Sequence, residues 1–268
     1  MPRNQHITSL GFRLENTGDV ARVRPLLRAS GLTAIDEADD TGPWEASTYL
    51  VAATTAGGTA ACAGWTRHDE YVLLHSLAVA PPSRGSGVGA SILATVLGEI
   101  MDSDPVREAY LTTRVATHFF ASFSFEKLAA PELPEPVAEH PIFAQAGADS
   151  QPMVRRYKPN KRGLDQCAFR LIHNTTTDAT LPAGSVFLFR QAGSTLEASY
   201  RGTPVRRGHL VGSVQSHELN FLWHHVLDDG SLANGDGSIF VDELDDGRRE
   251  LREKIGGRNP GELLLREV

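Results

Sequence analysis

A glycine-rich loop contains the residue types of an anion-binding site. Arg84 is followed by Gly85, Gly87 and Gly89, between an apolar stretch that ends in two prolines and an amphipathic stretch. Glycines adopt positive φ readily and let a ligand approach the backbone closely. Backbone N–H groups at the start of a helix favour a phosphate, and an arginine adds a permanent charge that suits phosphate oxygens. The sequence therefore predicts a phosphate-binding loop at the start of a helix.

The helix after this loop is predicted from two adjacent rows of apolar residues that repeat every four positions. Rows with this period form one face of a helix, and such a face packs against a sheet or another helix. The first row is Val88, Ile92, Val96 and Ile100, and the second row is Leu93, Leu97 and Met101.

The loop differs from two common phosphate-binding loops. A Walker A loop ends in Gly-Lys-Ser/Thr, and residues 84–89 contain no lysine. A dinucleotide-binding loop has the spacing Gly-x-Gly-x-x-Gly and an acidic residue about 20 positions later, at the end of a strand. Here the glycines follow Gly-x-Gly-x-Gly, and Glu108 lies at the start of the next predicted strand. A strand-to-helix turn without a ligand remains an alternative at this point.

The loop Arg84-Gly-Ser-Gly-Val-Gly89 resembles the Arg/Gln-x-x-Gly-x-Gly/Ala loop of the GNAT acetyltransferase superfamily, and the strand at 77–81 resembles that family's fourth strand. Residues 116–125 resemble the family's helix that ends in Tyr-x-x-Leu-Gly-Phe. The resemblance covers residues 10–158 and implies an α+β GNAT fold, with a mixed central sheet flanked by helices. The other predicted elements are helices at 19–30 and 116–128 and strands at 48–54, 59–67, 107–113 and 153–158.

Within the superfamily, the nearest resemblance is to small acetyltransferases associated with arsenic resistance and to amino-acid N-acetyltransferases. This resemblance implies a small amine or an amino-acid-like molecule as the substrate, rather than a protein. It rests on residues 23–31, 76–81, 110–113, 119–120 and 132–136.

The resemblance also implies acetyl-CoA as the co-substrate, with the pyrophosphate of coenzyme A held by the glycine loop and no metal required. In GNAT enzymes the fourth strand separates from the fifth, its backbone binds pantetheine, and one backbone N–H faces the thioester oxygen. These roles fall on Leu77, Ala78 and Val79. The full set of implied cofactor-binding residues is Leu77, Ala78, Val79, Arg84, Gly85, Ser86, Gly87, Val88, Gly89, Ala90 and Phe120.

The sequence departs from the family at both proton-transfer positions. The tyrosine that often protonates the leaving thiolate is replaced by Phe120, and the glutamate that often acts as a base is replaced by Leu73. An asparagine that often follows the fifth strand is replaced by Thr113. These departures keep a second function open, a CoA-binding regulatory protein with little catalytic activity whose second domain senses a small ligand.

His75 is the candidate for a catalytic base, because an ordinary histidine pKa of about 6.5 suits proton removal near neutral pH. The alternative is that His75 packs on the same face as Leu77, since residues two apart in a strand point the same way unless a bulge intervenes. Thr112 and Thr113 end the predicted strand at 107–113, Arg114 follows it, and all three are candidate substrate-binding residues. Arg114 is placed either to pair with a substrate carboxylate or to face solvent.

The composition argues against several other classes of protein. The chain has 268 residues and a net charge of −7, and neither half is basic, which argues against nucleic-acid binding. No apolar run reaches the ~20 residues of a membrane span, and the first residues do not resemble a signal peptide, so we expect a cytoplasmic protein. Cys62 and Cys167 do not form a disulfide framework. His224 and His225 would face opposite sides of a strand, so we expect no metal site there.

A second domain is predicted after a linker at 158–163, which gives domains at 1–160 and 161–268. Eight short strands separated by glycine-containing turns indicate an all-β, calycin-like up-and-down barrel. The strands are predicted at 167–174, 186–190, 195–201, 208–214, 219–226, 238–244, 248–253 and 262–268, and the turns at 191–193, 228–230, 234–237 and 245–247.

The second domain resembles a small bacterial β-domain often labelled N-acetylglutamate synthase. It contains no glycine loop followed by a helix, so the label implies no acetyl-CoA chemistry in this domain. Two alternatives remain: a packed barrel that stabilises the chain or forms a homodimer, or a barrel with a small-ligand pocket lined by Tyr200, His209 and Trp223. The resemblance lies in residues 189–193, 196–202, 208–212 and 246–248.

Overall fold

The computed structural model describes residues 6–7, 10–32, 46–68, 71–103, 106, 108–156, 163–175, 180–255 and 261–268. The first five residues, the predicted domain boundary and the predicted linker, apart from Gly163, lie outside these described residues. The chain divides into two compact units, formed mainly by Phe12–Tyr157 and by Lys158–Val268. No helix within the described ranges is long and apolar enough to cross a lipid bilayer.

A mixed eight-stranded sheet forms the centre of the first unit, as predicted. Its strand order is β1-β2-β3-β4-β5-β6-β8-β7, and every neighbouring pair is antiparallel except β5 and β6, which are parallel. The strands are β1 His6–Ile7, β2 Arg13–Thr17, β3 Thr48–Ala53, β4 Thr59–His68, β5 Tyr71–Val79, β6 Glu108–Thr113, β7 Glu126–Lys127 and β8 Gln151–Arg156.

Among the described residues five helices accompany this sheet, and the two longest lie where the sequence predicts them. The carboxylate of Asp19 accepts a hydrogen bond from the N–H of Ala21 at 2.9 Å, which caps the first helix, and Gly31 follows its end with φ +68°. Both apolar rows of the second helix are buried, so its predicted face is confirmed. The helices are α1 Val20–Ala29, α2 Val88–Ser103, α3 Thr117–Ala121, α4 Glu135–Glu139 and α5 Pro141–Ala144, with 3-10 turns at Pro81–Ser83 and Ala130–Glu132.

The predicted helix at 116–128 is wrong in length, because α3 ends at Ala121. Ser124 has φ +63°, which a helix does not allow, and the chain then enters the short strand β7. The turn brings Phe125 back against Phe120, with ring centroids 5.9 Å apart, and both side chains are buried. The chain therefore turns and buries this aromatic pair where the sequence predicted that the helix would continue.

A closed antiparallel barrel of eight strands forms the second unit, which confirms the predicted architecture. Each strand pairs with its neighbours in sequence, and the first strand also pairs with the last. The strands are β9 Ala168–Asn174, β10 Val186–Ala192, β11 Thr195–Gly202, β12 Val205–Gln215, β13 Glu218–Leu227, β14 Leu232–Glu243, β15 Arg249–Ile255 and β16 Gly261–Glu267.

The predicted turn at 234–237 is wrong, since these residues lie inside β14. Their glycines make room for aromatic rings of β13. A Cβ atom at Gly235 would lie 2.7 Å from the ring of Trp223, and one at Gly237 would lie 2.8 Å from the ring of Phe221. Glycine at these positions therefore serves close packing in the barrel wall rather than chain reversal.

Candidate active site

The glycine loop leads directly into the N-terminus of α2. Gly85 has φ +76° and Gly87 has φ +94°, conformations that favour glycine. The N–H of Ser91 donates to the carbonyl of Gly87 at 3.0 Å. The amides of Gly89 and Ala90 therefore precede the first intrahelical bond of α2, which is where a helix presents N–H groups to an anion.

Two further residues fix the loop against the end of β5. Gly89 has no positive φ, and its role is steric: a Cβ atom there would lie 3.2 Å from Cγ2 of Val79. The Nε–H of Arg84 donates to the carbonyl of Val79 at 3.2 Å, while the side chain stays exposed. The hydroxyl of Ser86 donates to the carbonyl of Ser83 at 2.7 Å and accepts from the N–H of Val88 at 3.3 Å. This hydroxyl is thus committed to the shape of the loop.

The parallel strands β5 and β6 separate near their middle. Their register joins Tyr71 to Glu108 and Leu73 to Tyr110, and no later pair is formed within these described strands. β5 nevertheless continues to Val79 and β6 to Thr113. One backbone edge of β5 therefore faces a gap beyond Leu73, at the residues predicted to bind pantetheine.

A bulge lies in β5 at the start of this gap. Gly64 of β4 pairs with His75, but Cys62 pairs with Ala78, so β5 contains one extra residue between these pairs. Ser76 within the bulge has φ +55°. The bulge changes the alternation, so His75 shares its face with Ala78 rather than with Leu77. Packing of His75 beside Leu77, the alternative considered from the sequence, is therefore wrong.

His75 is held on three sides. Its ring meets the ring of Tyr49 edge-on, with centroids 5.5 Å apart, and a Cβ atom at Gly64 would lie 2.7 Å from its Nδ1. The same Nδ1 lies 3.0 Å from Oγ of Ser76. Nε2 is buried and has no hydrogen-bond partner among the described residues. This nitrogen is thus available to a ligand.

The pKa of His75 differs from the ordinary value assumed from the sequence. Burial, with a smaller contribution from His140, lowers the pKa of His75 to about 3. The imidazole is therefore neutral at neutral pH, and the expectation of a pKa near 6.5 is wrong. A neutral imidazole remains able to accept or donate a hydrogen bond through Nε2.

Thr112 and His140 contribute polar groups on the same side of the sheet. Tyr110 and Leu73 lie in one core cluster, so Thr112, two residues after Tyr110, shares the face of His75. Oγ1 of Thr112 is buried without a hydrogen-bond partner among the residues described. His140 was missed by the sequence reasoning. It caps α5 by accepting from the N–H of Ile142 at 3.2 Å, and burial lowers its pKa to about 4. The sequence feature that could have indicated this role is His140 followed by Pro141 at the start of a short helix.

The remaining candidates have more ordinary surroundings. Oγ1 of Thr113 accepts from the N–H of Ala116 at 3.1 Å, and Arg114 is exposed. Phe120 is buried with its ring 5.3 Å from that of Phe119, and Leu73 is fully buried in an apolar cluster. Neither Phe120 nor Leu73 offers a proton donor or acceptor.

In the barrel, one predicted pocket residue points the wrong way. Tyr200 is buried inside, whereas His209 is exposed and stacks on His224 outside, with centroids 5.6 Å apart. The inward histidine is His225, which is 2 % exposed, stacks on Trp223 at 4.9 Å, and has its Nδ1 3.3 Å from the hydroxyl of Tyr200. Strict alternation around Gly208 and Leu210 places the side chain of His209 outside.

Two family models match the chain. The model described as acetyltransferase (GNAT) family matches residues 25–125, and the model described as avidin-like protein matches residues 162–268. A comparison with curated proteins gives no match.

Among solved structures, the chain is similar to N-acetylglutamate synthase from Neisseria gonorrhoeae in complex with coenzyme A and N-acetyl-glutamate, at 19% identity and a TM-score of 0.41. That match covers 53% of this chain and 35% of the Neisseria protein, about a third of its length. Escherichia coli ElaA is 16% identical with a TM-score of 0.42, and that match covers 54% of this chain and 99% of ElaA. Rv2747 from Mycobacterium tuberculosis, in complex with CoA and NLQ, is 16% identical with a TM-score of 0.41. That match covers 57% of this chain and 99% of Rv2747. At TM-scores below 0.5 these likenesses carry no argument about mechanism.

Proposed function

We propose that this protein, in which a domain of the acetyltransferase (GNAT) family precedes an avidin-like domain, transfers an acetyl group from acetyl-CoA to the nitrogen of a small amine or amino-acid-like substrate. One arrangement carries the proposal. The glycine loop lies at one end of the gap between β5 and β6, and buried polar atoms of His75 and Thr112 lie beside this gap without hydrogen-bond partners among the described residues. Buried polar atoms without partners in a cleft are the groups that a ligand would satisfy.

The loop and the gap would hold the two halves of coenzyme A. The amides of Gly89 and Ala90 and the guanidinium of Arg84 suit the pyrophosphate. The open backbone edge of β5 at Leu77–Val79 suits the amide groups of pantetheine, as an extended peptide suits a sheet edge. Bound in this way, the co-substrate supplies an activated thioester carbonyl.

The two faces of β5 then separate the co-substrate from the acceptor. Val79 contacts the position of Gly89 on the side of α2, whereas His75 and Ala78 face the side of α1. The thioester would pass through the gap from the first side to the second. The acceptor would bind beside His75 and Thr112, with Arg114 at the end of β6 available to a substrate carboxylate.

In the reaction, the lone pair of the amine forms the new bond to the carbonyl carbon, and the C–S bond breaks with its electron pair on sulfur. The nitrogen's proton passes through water to the thiolate, because Phe120 has none to give. Nε2 of neutral His75 would orient the amine by accepting one of its N–H groups. A backbone N–H of Leu77–Val79 would stabilise the negative charge on the carbonyl oxygen. Positioning alone contributes heavily to acyl transfer.

A second function, binding of coenzyme A without transfer, is favoured by one observation. No side chain identified at the gap titrates near neutral pH, since Leu73 and Phe120 are apolar and burial lowers the pKa of His75 to about 3. In this alternative the domain would be regulatory, and the barrel would bind the regulating ligand.

Turnover separates the two functions. The full-length protein is mixed with acetyl-CoA and pools of amines and amino acids, and free thiol and acetylated product are both measured. Thiol release matched by acetylated product supports the transferase. Saturable binding of acetyl-CoA without product from any pool contradicts it and supports the regulatory protein.

A further inference from the structure

Ser76 occupies a backbone conformation that its residue type rarely adopts. Its φ of +55° lies in the left-handed region, where glycine has no steric penalty and serine does. This conformation forms the bulge between the pairs Gly64–His75 and Cys62–Ala78. Glycine would satisfy the backbone better, so the serine side chain is the feature that needs an explanation.

The hydroxyl of Ser76 lies within hydrogen-bonding distance of one ring nitrogen of His75. Oγ lies 3.0 Å from Nδ1. The hydrogen bond at one ring nitrogen decides which nitrogen of a neutral histidine carries the proton. We propose that Ser76 is a positioning residue whose hydroxyl accepts the Nδ1–H of His75, so that the Nε2 lone pair faces the acceptor amine. This inference rests on the proposed acetyltransferase function.

The choice of tautomer follows from the surroundings of Nε2. That nitrogen is buried and has no partner within the described part of the chain. A buried N–H without an acceptor is among the rarest features of native proteins, so a lone pair at Nε2 is the less costly state before substrate binds. An N–H of the acceptor amine would then satisfy it.

Two neighbours keep the bulge and the ring in place. The thiol of Cys62 donates to the carbonyl of Ser76 at 3.3 Å, and burial raises the pKa of Cys62 to about 12, so the donor proton is retained at neutral pH. Gly64 leaves room for the ring, because a Cβ atom there would lie 2.7 Å from Nδ1 of His75 and 2.8 Å from the ring of Tyr49. The position of Nε2 is therefore set by residues of three strands.

The substitution Ser76→Gly separates the hydroxyl from the backbone. It keeps the bulge, removes the left-handed strain and deletes the hydrogen bond to Nδ1. We expect an unchanged or higher melting temperature and an unchanged KM for acetyl-CoA. We also expect kcat/KM for the amine to fall roughly tenfold, the scale of one hydrogen bond. A purely structural residue would not lose activity while its protein gains stability.

Matched variants exclude a general effect of the substitution. Ser124→Gly changes the other serine with positive φ in the described part of this unit, at +63°, and should leave both kinetic constants unchanged. Ser76→Asn introduces a residue that tolerates the left-handed region and that still carries a hydrogen-bonding side chain. It should recover part of the lost kcat/KM.

Nitrogen NMR of full-length protein labelled at histidine reads the tautomer directly, with the His75 signals assigned from a His75→Gln sample. We expect the wild type to carry its proton on Nδ1, and Ser76→Gly to shift protons to Nε2. A wild type protonated on Nε2, or a Ser76→Gly variant with full kcat/KM, would overturn the proposal. If the wild type acetylates no amine, the acetyltransferase function fails, while the NMR result still decides the tautomer.

Discussion

The two units of the chain treat their buried polar groups differently. In the barrel, the buried guanidinium of Arg249 donates two hydrogen bonds to the carboxylate of Glu267, each at 2.8 Å, and a third to Sγ of Cys167. At the gap of the first unit, buried atoms of His75 and Thr112 have no hydrogen-bond partners in the described ranges. Internal pairing satisfies the buried charge of the barrel, whereas the open polar atoms of the first unit are the groups that the proposed ligand would satisfy.

Two atoms in the described part of the barrel depart from this contrast, Nε of Arg252 and Nε2 of His225. Nε2 of His225 is buried inside the barrel and has no partner among the residues described. Burial, with a smaller contribution from His224, lowers the pKa of His225. The neutral ring stacks on Trp223, which gives the imidazole a packing role that requires no ligand.

The largest effect is expected at the buried ion pair between Arg249 and Glu267 of the barrel. Arg249→Met would leave the carboxylate of Glu267 buried without its partner, at a cost of about 3–5 kcal/mol. Native-state hydrogen exchange of the β15 and β16 amides measures this loss. The double variant Arg249→Met/Glu267→Leu should recover most of it, because no charge is then left buried alone. A single variant within about 1 kcal/mol of the wild type would contradict the assigned role of the pair.

The stability of the first unit is expected to depend on pH. The pKa of His75 in the folded protein is about 3 and that of His140 about 4, both below the unfolded value of about 6.5. As pH falls from 6.5 towards 4, the unfolded chain therefore binds protons that the folded chain does not, and stability decreases. His75→Gln should flatten this decrease, as measured by urea unfolding at several pH values. An equal slope in both proteins would show that His75 is not held neutral.

The smallest effect is expected at His225, one of the two exceptions in the barrel. His225→Phe keeps an aromatic ring on Trp223, removes the unpaired Nε2 and loses the 3.3 Å contact with the hydroxyl of Tyr200. These changes offset one another, so unfolding free energy should change by less than about 1 kcal/mol. A loss above about 2 kcal/mol would contradict this packing role and show that the polar atoms of His225 stabilise the barrel.

Much of the fold could be predicted because it depends on local periodicity. The apolar rows of α2 and the eight alternating strands follow from side-chain geometry, and both were confirmed. The turn predicted at 234–237 failed because glycines that admit aromatic rings look, in sequence, like glycines that reverse the chain. Contacts with a neighbouring strand decide between the two, and the sequence does not contain them.

The candidate site was predictable only in part for a related reason. The glycine loop is contiguous, so its residues could be named in order. The face of His75 depends on a bulge formed by Ser76 in a left-handed conformation, which no propensity of serine predicts. His140 comes from a segment 65 positions away in sequence and meets the site through tertiary packing alone. His209 was a different case, since alternation with Leu210 already placed it outside the barrel.

The central claim is that the loop before α2 binds the pyrophosphate of coenzyme A, and calorimetric titration of acetyl-CoA tests it most directly. Gly87→Val places a β-branched side chain at φ +94° and beside the amides that would hold phosphate. The same change at Gly230, with φ +85° in a barrel turn and open space around it, is the matched control. We predict that Gly87→Val weakens binding about tenfold to a hundredfold while Gly230→Val binds as the wild type does. Equal affinity in all three proteins would contradict the account.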